Sequence, residues 1–109
     1  MQLVRIIARK TLRDFVQSLR GSKDQSAVKS ALDAWFHEVQ LADWHTPADV
    51  TKAYANASIV GDRVVFNIKG NAYRLVVAVD YPRQIVFIRW LGRHAQYDEI
   101  DVRKVKYGD

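Results

Sequence analysis

Hydrophobic positions change their period near residue 59. Residues 2–7 (QLVRII) are rich in β-branched side chains and predict a short strand. Leu12, Phe15, Val16 and Leu19 then recur at helical spacing. Thr11 and Asp14 stand as a capping pair for this helix, and Gly21 closes it. Asp24 is the expected N-cap of a second helix, whose stripe is Val28, Ala31, Leu32, Trp35, Phe36 and Val39. Ser22 and Lys23 are a short link, so the two helices are expected to pack as a hairpin. Thr46, Pro47 and Asp49 predict the cap and first turn of a third short helix, which ends near Asn56 to Ser58. From Ile59 onward the period is two. Gly61-Asp62 makes a turn, and the runs 63–69, 72–80 and 84–91 form an antiparallel meander. The tail, from about Gln96 to Val105, adds a short helix. The expectation is one α+β domain over residues 1–109: a helical hairpin packed on one face of a small, mostly antiparallel sheet.

A two-residue turn at Gly70-Asn71 fixes the register of the first hairpin. Lys69 then opposes Ala72, Asn67 opposes Arg74, Val65 opposes Val76 and Arg63 opposes Ala78. Ile68–Tyr73, Phe66–Leu75 and Val64–Val77 pair on the other face, which is wholly apolar and must meet the helices. The polar face gathers Arg63, Asn67, Lys69 and Arg74, with Ala72 and Ala78 leaving it concave. Such a face is either solvated or a binding surface, and its uniform positive charge favours binding. A three-residue turn after Asp80 would drive Arg89 into the helical layer, at the cost of burying a guanidinium. A four-residue turn places Arg89 beside Arg74, with Ile85 and Phe87 on the open face and Val86, Ile88 and Trp90 in the core.

Charge sharpens this picture. The chain has 17 Lys+Arg against 12 Asp+Glu, a net charge of +5. Residues 1–20 carry +4 and residues 63–97 carry +5, whereas residues 21–62 carry −3 and the tail −1. A basic excess focused on the first helix and the meander suits a polyanion. Zero Cys excludes disulfides, thiolate nucleophiles and cysteine-based metal sites. Charges interrupt every apolar run, so no segment has transmembrane length. Arg5, Arg9, Lys10 and Arg13 occupy the place a secretory signal needs for its apolar stretch, which predicts a soluble cytoplasmic protein.

Beyond the last strand, Gly92-Arg93-His94-Ala95-Gln96-Tyr97-Asp98 supplies His, Tyr, Asp and Arg at the end of a cationic sheet. RNA cleavage needs this combination. His or Tyr suits proton transfer at a ribose 2′-hydroxyl and at the leaving 5′-oxygen, and Arg or Lys suits charge on a phosphorane. There is no Gly-rich phosphate loop and no nucleophile elbow. His37, His45 and His94 have no metal-ligand spacing, so no metal or other cofactor is expected. His37 belongs on the helix surface, while Trp35, Phe36 and Trp44 belong to the core.

The runs Val65–Val76 (VFNIKGNAYRLV), Arg83–Arg89 (RQIVFIR) and His94–Asp98 (HAQYD) resemble the HigB toxins, a branch of the RelE-like superfamily of toxin–antitoxin toxins. The two signatures FNxxGNxxR and HxxYD in this order are specific together, and the similarity extends over nearly the whole chain. The resemblance implies a RelE-like fold and a metal-independent endoribonuclease that cuts mRNA on the translating 70S ribosome. It implies that Lys69, Arg74 and Arg89 hold phosphate and stabilise the transition state, that His94 and Tyr97 form the acid–base region, and that Asp98 orients them. Arg63, Asn67, Asn71 and Arg93 are further candidates for RNA contact, Asn67 and Asn71 having an architectural reading as well. Arg93 stands where many relatives carry Thr. The implied partner is a helix-turn-helix antitoxin of the HigA type. A non-catalytic RNA- or ribosome-binding module on the same scaffold is the alternative.

Overall fold

A computed structural model describes residues 3–105, and Gln2 of the expected first strand lies outside them. The chain runs β1 (Arg5–Ile7), α1 (Arg9–Ser18), α2 (Gln25–Gln40), α3 (Pro47–Ala53), β2 (Ser58–Val60), β3 (Arg63–Ile68), β4 (Tyr73–Asp80), β5 (Ile85–Arg93) and α4 (His94–Tyr97). The strands form one sheet in the order β1-β5-β4-β3-β2, antiparallel except where β1 pairs with β5. This is the expected α+β architecture.

The helices bury one stripe each against the sheet. Val28, Leu32, Trp35 and Val39 of α2 are buried, as is Leu12 of α1, and they meet Val64, Phe66, Leu75 and Val77. Phe66 is the aromatic centre: Trp35 and Tyr54 meet it edge-on at 5.4 and 5.1 Å, and Trp44 stacks at 6.3 Å. Phe36 is half-buried beneath the Arg9 guanidinium, 4.6 Å from its ring centre, and His37 is exposed.

Capping follows expectation at one helix of three. At α3 the Thr46 hydroxyl accepts from the Asp49 N–H, and the Asp49 carboxylate accepts from the Thr46 N–H. At α1 the cap is Ala8, in extended backbone, with no side-chain bond. Thr11 is already helical, and Asp14 instead pairs with Lys10 one turn earlier at 2.6 Å. Asp24 has helical backbone (φ −85°, ψ −14°), so its side chain does not cap α2. The Ser22 hydroxyl accepts the Asp24 N–H at 3.1 Å, and the Asp24 carboxylate is left for another use.

The β3–β4 register is the expected one, from Arg63–Ala78 through Asn67–Arg74 to Ile68–Tyr73. The turn between β4 and β5 holds residues 81–84, since Asp80 pairs with Ile85. Gln84 pins that turn to the helical layer, its side-chain N–H donating to the Trp44 carbonyl at 2.6 Å. Then the ladder slips. Val77 pairs with Ile88 but Val76 pairs with Trp90, so Arg89 is an extra residue in a bulge. Beyond it, Leu91 rather than Trp90 enters the core, and Trp90 turns to the open face opposite Val76. Alternation from Ile85 cannot reveal that slip.

Candidate functional site

The site builds up at the end of the sheet where β3 turns into β4 and β5 runs into α4. Lys69 and Gly70 both have positive φ, +53° and +63°. Glycine takes such a backbone freely, but at Lys69 it breaks the strand alternation. The Lys69 ammonium therefore does not join Arg74. It reaches the helical side and lies 3.4 Å from the Asp24 carboxylate, which also accepts the Tyr73 hydroxyl at 3.1 Å. Arg93, paired with Tyr73, brings its guanidinium over the same tyrosine ring at 5.9 Å. The helical edge thus holds a cluster of Asp24, Lys69 and Tyr73, with the exposed Arg93 at its rim. The hydrogen bond from Tyr73, followed by the charge of Lys69, holds the Asp24 carboxyl below its ordinary range. Burial, then the bond to Asp24, pushes the Tyr73 phenol up.

The opposite face is different. Arg74 is 9% exposed, and its guanidinium folds back over the turn. Nη1 donates to the carbonyls of Asn71 and Tyr73 at 3.1 and 3.3 Å, and Nη2 donates to Asn71 Oδ1 at 2.5 Å. Asn71 is thereby the anchor that aims Arg74. Tyr97 lies in front of it, with the guanidinium carbon 5.9 Å from the centre of its ring. Trp90 supports Tyr97 from the sheet, the ring centres 6.2 Å apart and inclined at 53°.

Helix α4 places the remaining groups. Its first N–H, at His94, donates to the Ala72 carbonyl at 2.9 Å, tying the helix to the start of β4. The Arg93 N–H donates to Gln96 Oε1 at 3.0 Å, closing the first turn. His94 is exposed, and its Nε2 lies 3.8 Å from Asp98 Oδ2, so Asp98 stands near the imidazole without a direct hydrogen bond. Arg89, in the bulge, lays its guanidinium over Phe87 at 4.9 Å, and its buried Nε has no hydrogen-bond partner among the described residues.

The expected cationic face is therefore divided. Arg74, Tyr97 and Arg89 belong to the outer side, Asn67 is exposed there, and His94 and Asp98 are exposed on α4 and its C-terminal end beside it. Lys69 and Arg93 belong to the helical edge. Arg63 is 7% exposed and committed elsewhere: Nη1 donates to the Val105 carbonyl at 2.6 Å, and Nε lies 3.5 Å from Asp62. The face is not an open concavity either, since Val65 and Val76 on it are buried. Two contributors escaped the sequence reading: Trp90, assigned there to the core, and Asn71 in its role as Arg74's anchor. Among the described residues no group of three or more His, Asp or Glu could hold a metal.

An α+β fold with a helical hairpin on one face of a mostly antiparallel sheet is that of RelE-like toxins, one half of a toxin–antitoxin pair. More narrowly, the family model for HigB toxins, the RelE-like toxic component of a toxin–antitoxin system, matches residues 28–100, and this chain belongs to that family. The match runs from within α2 to just past α4, so it contains both signatures. Comparison with curated proteins gives no match. Membership brings with it an antitoxin partner. No helix among the described residues is long and apolar enough to cross a membrane.

Proposed function

We propose that this toxin is a cytoplasmic, metal-independent endoribonuclease that cleaves mRNA on the translating ribosome, and that a HigA-type helix-turn-helix antitoxin restrains it. The observation that carries this reading is Arg74: a guanidinium held by Asn71 at the sheet's end, facing Tyr97 and adjoining the helix that bears His94. In this reaction the ribose 2′-oxygen attacks the adjacent phosphorus as a base removes its proton. The P–O5′ bond then breaks, leaving a 2′,3′-cyclic phosphate, and an acid protonates the departing 5′-oxygen. His94 and Tyr97 serve as the acid–base pair, with Asp98 orienting His94. Arg74 meets the charge that builds on the phosphorane. Three of its N–H···O contacts go to Asn71 and Tyr73, and the remaining donors are free for the non-bridging oxygens. Arg89 contributes from the bulge. Asn67 and Arg93, both exposed, contact RNA beyond the scissile phosphate, while Lys69 and Arg63 act through structure.

Primer extension on a translated mRNA, with and without ribosomes, tests the proposal. Cleavage that needs ribosomes, survives EDTA under conditions that preserve them, and is lost in a His94→Ala/Tyr97→Phe variant that still binds them is the expected result. Ribosome binding and growth arrest without cleavage would instead make the chain a binding module on this scaffold.

A further inference from the structure

Helix α4 is only His94–Tyr97, too short to hold itself, yet it carries two of the proposed catalytic side chains. Its backbone is fixed at its first residue by Ala72 and at its first turn by Gln96, but neither contact restrains the Tyr97 ring. That ring meets the body of the protein through Trp90 and Arg74.

Three features deliver Trp90 to this place. The extra residue at Arg89 shifts the alternation of β5 by one, so Trp90 faces outward opposite Val76 instead of entering the core. Gly92, two residues on and buried, has no side chain in the way. A Cβ built there would fall 2.6 Å from indole atoms Cη2 and Cζ2, and 3.0 Å from Gln96 Oε1. The indole therefore lies across the Gly92 backbone, a position that any larger residue would deny it. Finally, Tyr97 meets the indole with ring centres 6.2 Å apart, and the Arg74 guanidinium carbon lies 5.9 Å from the centre of the same tyrosine ring.

We propose that Trp90 is a positioning residue of this site: laid over Gly92 by the bulge at Arg89, its indole fixes the Tyr97 ring against Arg74. The proposal rests on the ribonuclease reading for its kinetic consequence, but its geometric content stands apart. Trp90 touches no reacting atom. Its removal lets Tyr97 sample rotamers away from Arg74, which lowers the rate of the chemical step and leaves ribosome binding alone.

The test uses the full chain, purified from its antitoxin complex, in Trp90→Ala, Trp90→Phe and Gly92→Ala forms. Trp90→Ala is expected to slow single-turnover cleavage on saturating ribosomes by roughly tenfold or more, with the ribosome Kd unchanged within about twofold. Trp90→Phe recovers most of the rate. Gly92→Ala, which keeps the indole but displaces it, falls with Trp90→Ala. A purely structural role would lower the thermal midpoint and leave the folded fraction fully active. In parallel, ring-labelled tyrosine NMR, with Tyr97 assigned through Tyr97→Phe, reads cross-relaxation between the Tyr97 ring and the Arg74 side chain, 5.9 Å from ring centre to guanidinium carbon. That contact should weaken in Trp90→Ala and Gly92→Ala alike. If Trp90→Ala does not fold, Trp90→Leu, which keeps apolar cover over Gly92, takes its place. Wild-type rates in these variants overturn the proposal, whatever the ring does. If the wild type itself does not cleave, the ribonuclease reading fails, and the Tyr97–Arg74 contact alone decides: cross-relaxation that persists in Trp90→Ala overturns the positioning role and its loss supports it.

Discussion

Two tyrosines at the same end of the sheet, Tyr73 and Tyr97, sit in opposite circumstances. Tyr73 is 1% exposed, faces the helices, and gives its hydroxyl to Asp24, which Lys69 in turn neutralises. The Asp24 carboxylate, the Tyr73 hydroxyl and the Lys69 ammonium are partnered there, and burial pushes the phenol up. Tyr97 is half-buried on the outer side, with an arginine and an indole both against its ring. The first cluster pairs Lys69 with Asp24 and ties the β3–β4 turn to the start of α2. The second leaves a guanidinium with donors to spare. Sequence proximity does not separate these roles, because Lys69 and Arg74 flank the same turn and Arg93 adjoins His94. The side of the sheet does.

The comparison is broken most directly by trading arginines. Arg74→Ala is expected to lower the single-turnover cleavage rate by roughly 10²–10³, the usual cost of a donor aimed at developing charge. Arg93→Ala, on the Tyr73 side, should leave that rate near wild type and act on binding and its salt dependence. Equal losses from both, measured at one ionic strength, would mean that the two clusters form one site after all.

Hydroxyl deletions come next. Tyr97→Phe keeps the ring between Trp90 and Arg74 but removes the proton carrier, so the rate should fall by about 10² with the thermal midpoint unmoved. Tyr73→Phe should do the reverse, lowering the midpoint by a few degrees while the folded protein cleaves normally. A smaller effect is expected at Asn71. Asn71→Ala removes the side-chain oxygen that holds Arg74 Nη2 but keeps the backbone acceptor, so a loss on the order of tenfold in rate is the expected outcome. An unchanged rate would show that the backbone carbonyls of Asn71 and Tyr73 suffice to aim Arg74.

Much of this division was legible in the chain. The turn at Gly70-Asn71 and the requirement for one apolar face determine the β3–β4 register, and with it the outward direction of Arg74. The cost of burying Arg89 selects the four-residue turn. What stayed hidden has a common cause: side-chain direction was inferred from strict alternation, and two residues depart from it. Lys69 does so through a positive φ inside the turn, and Trp90 through the bulge one residue before it. Gly92, with an aromatic two residues upstream, was the available sign of the second departure, since glycine in a strand marks a bulge or a close approach. Asp24 was misread for another reason. Its sequence position fits a cap, but the carboxylate finds stronger partners in a tyrosine hydroxyl and an ammonium that only the tertiary fold brings near.

Acid titration sharpens the contrast last and most gently. In the folded protein the Asp24 carboxyl is held below the ordinary aspartate range, owing first to the Tyr73 hydrogen bond and, among the charges, to Lys69. A carboxyl with a depressed folded pKa adds stability that is fully present above the unfolded pKa and is lost as pH falls through the folded one. The stability gap between wild type and Asp24→Asn should therefore be flat near neutral pH and close progressively below about pH 4. Because the carboxylate is solvent-accessible, salt should narrow the gap at neutral pH as well. Denaturant unfolding at a series of pH values reads this directly, and adding Lys69→Met identifies the source. If the ammonium matters, that variant loses part of the gap at neutral pH and is less sensitive to salt. If Lys69→Met leaves the gap intact, the tyrosine hydroxyl alone depresses the carboxyl. Lys69 would then be a cation without a structural duty, available for RNA like the arginines across the sheet.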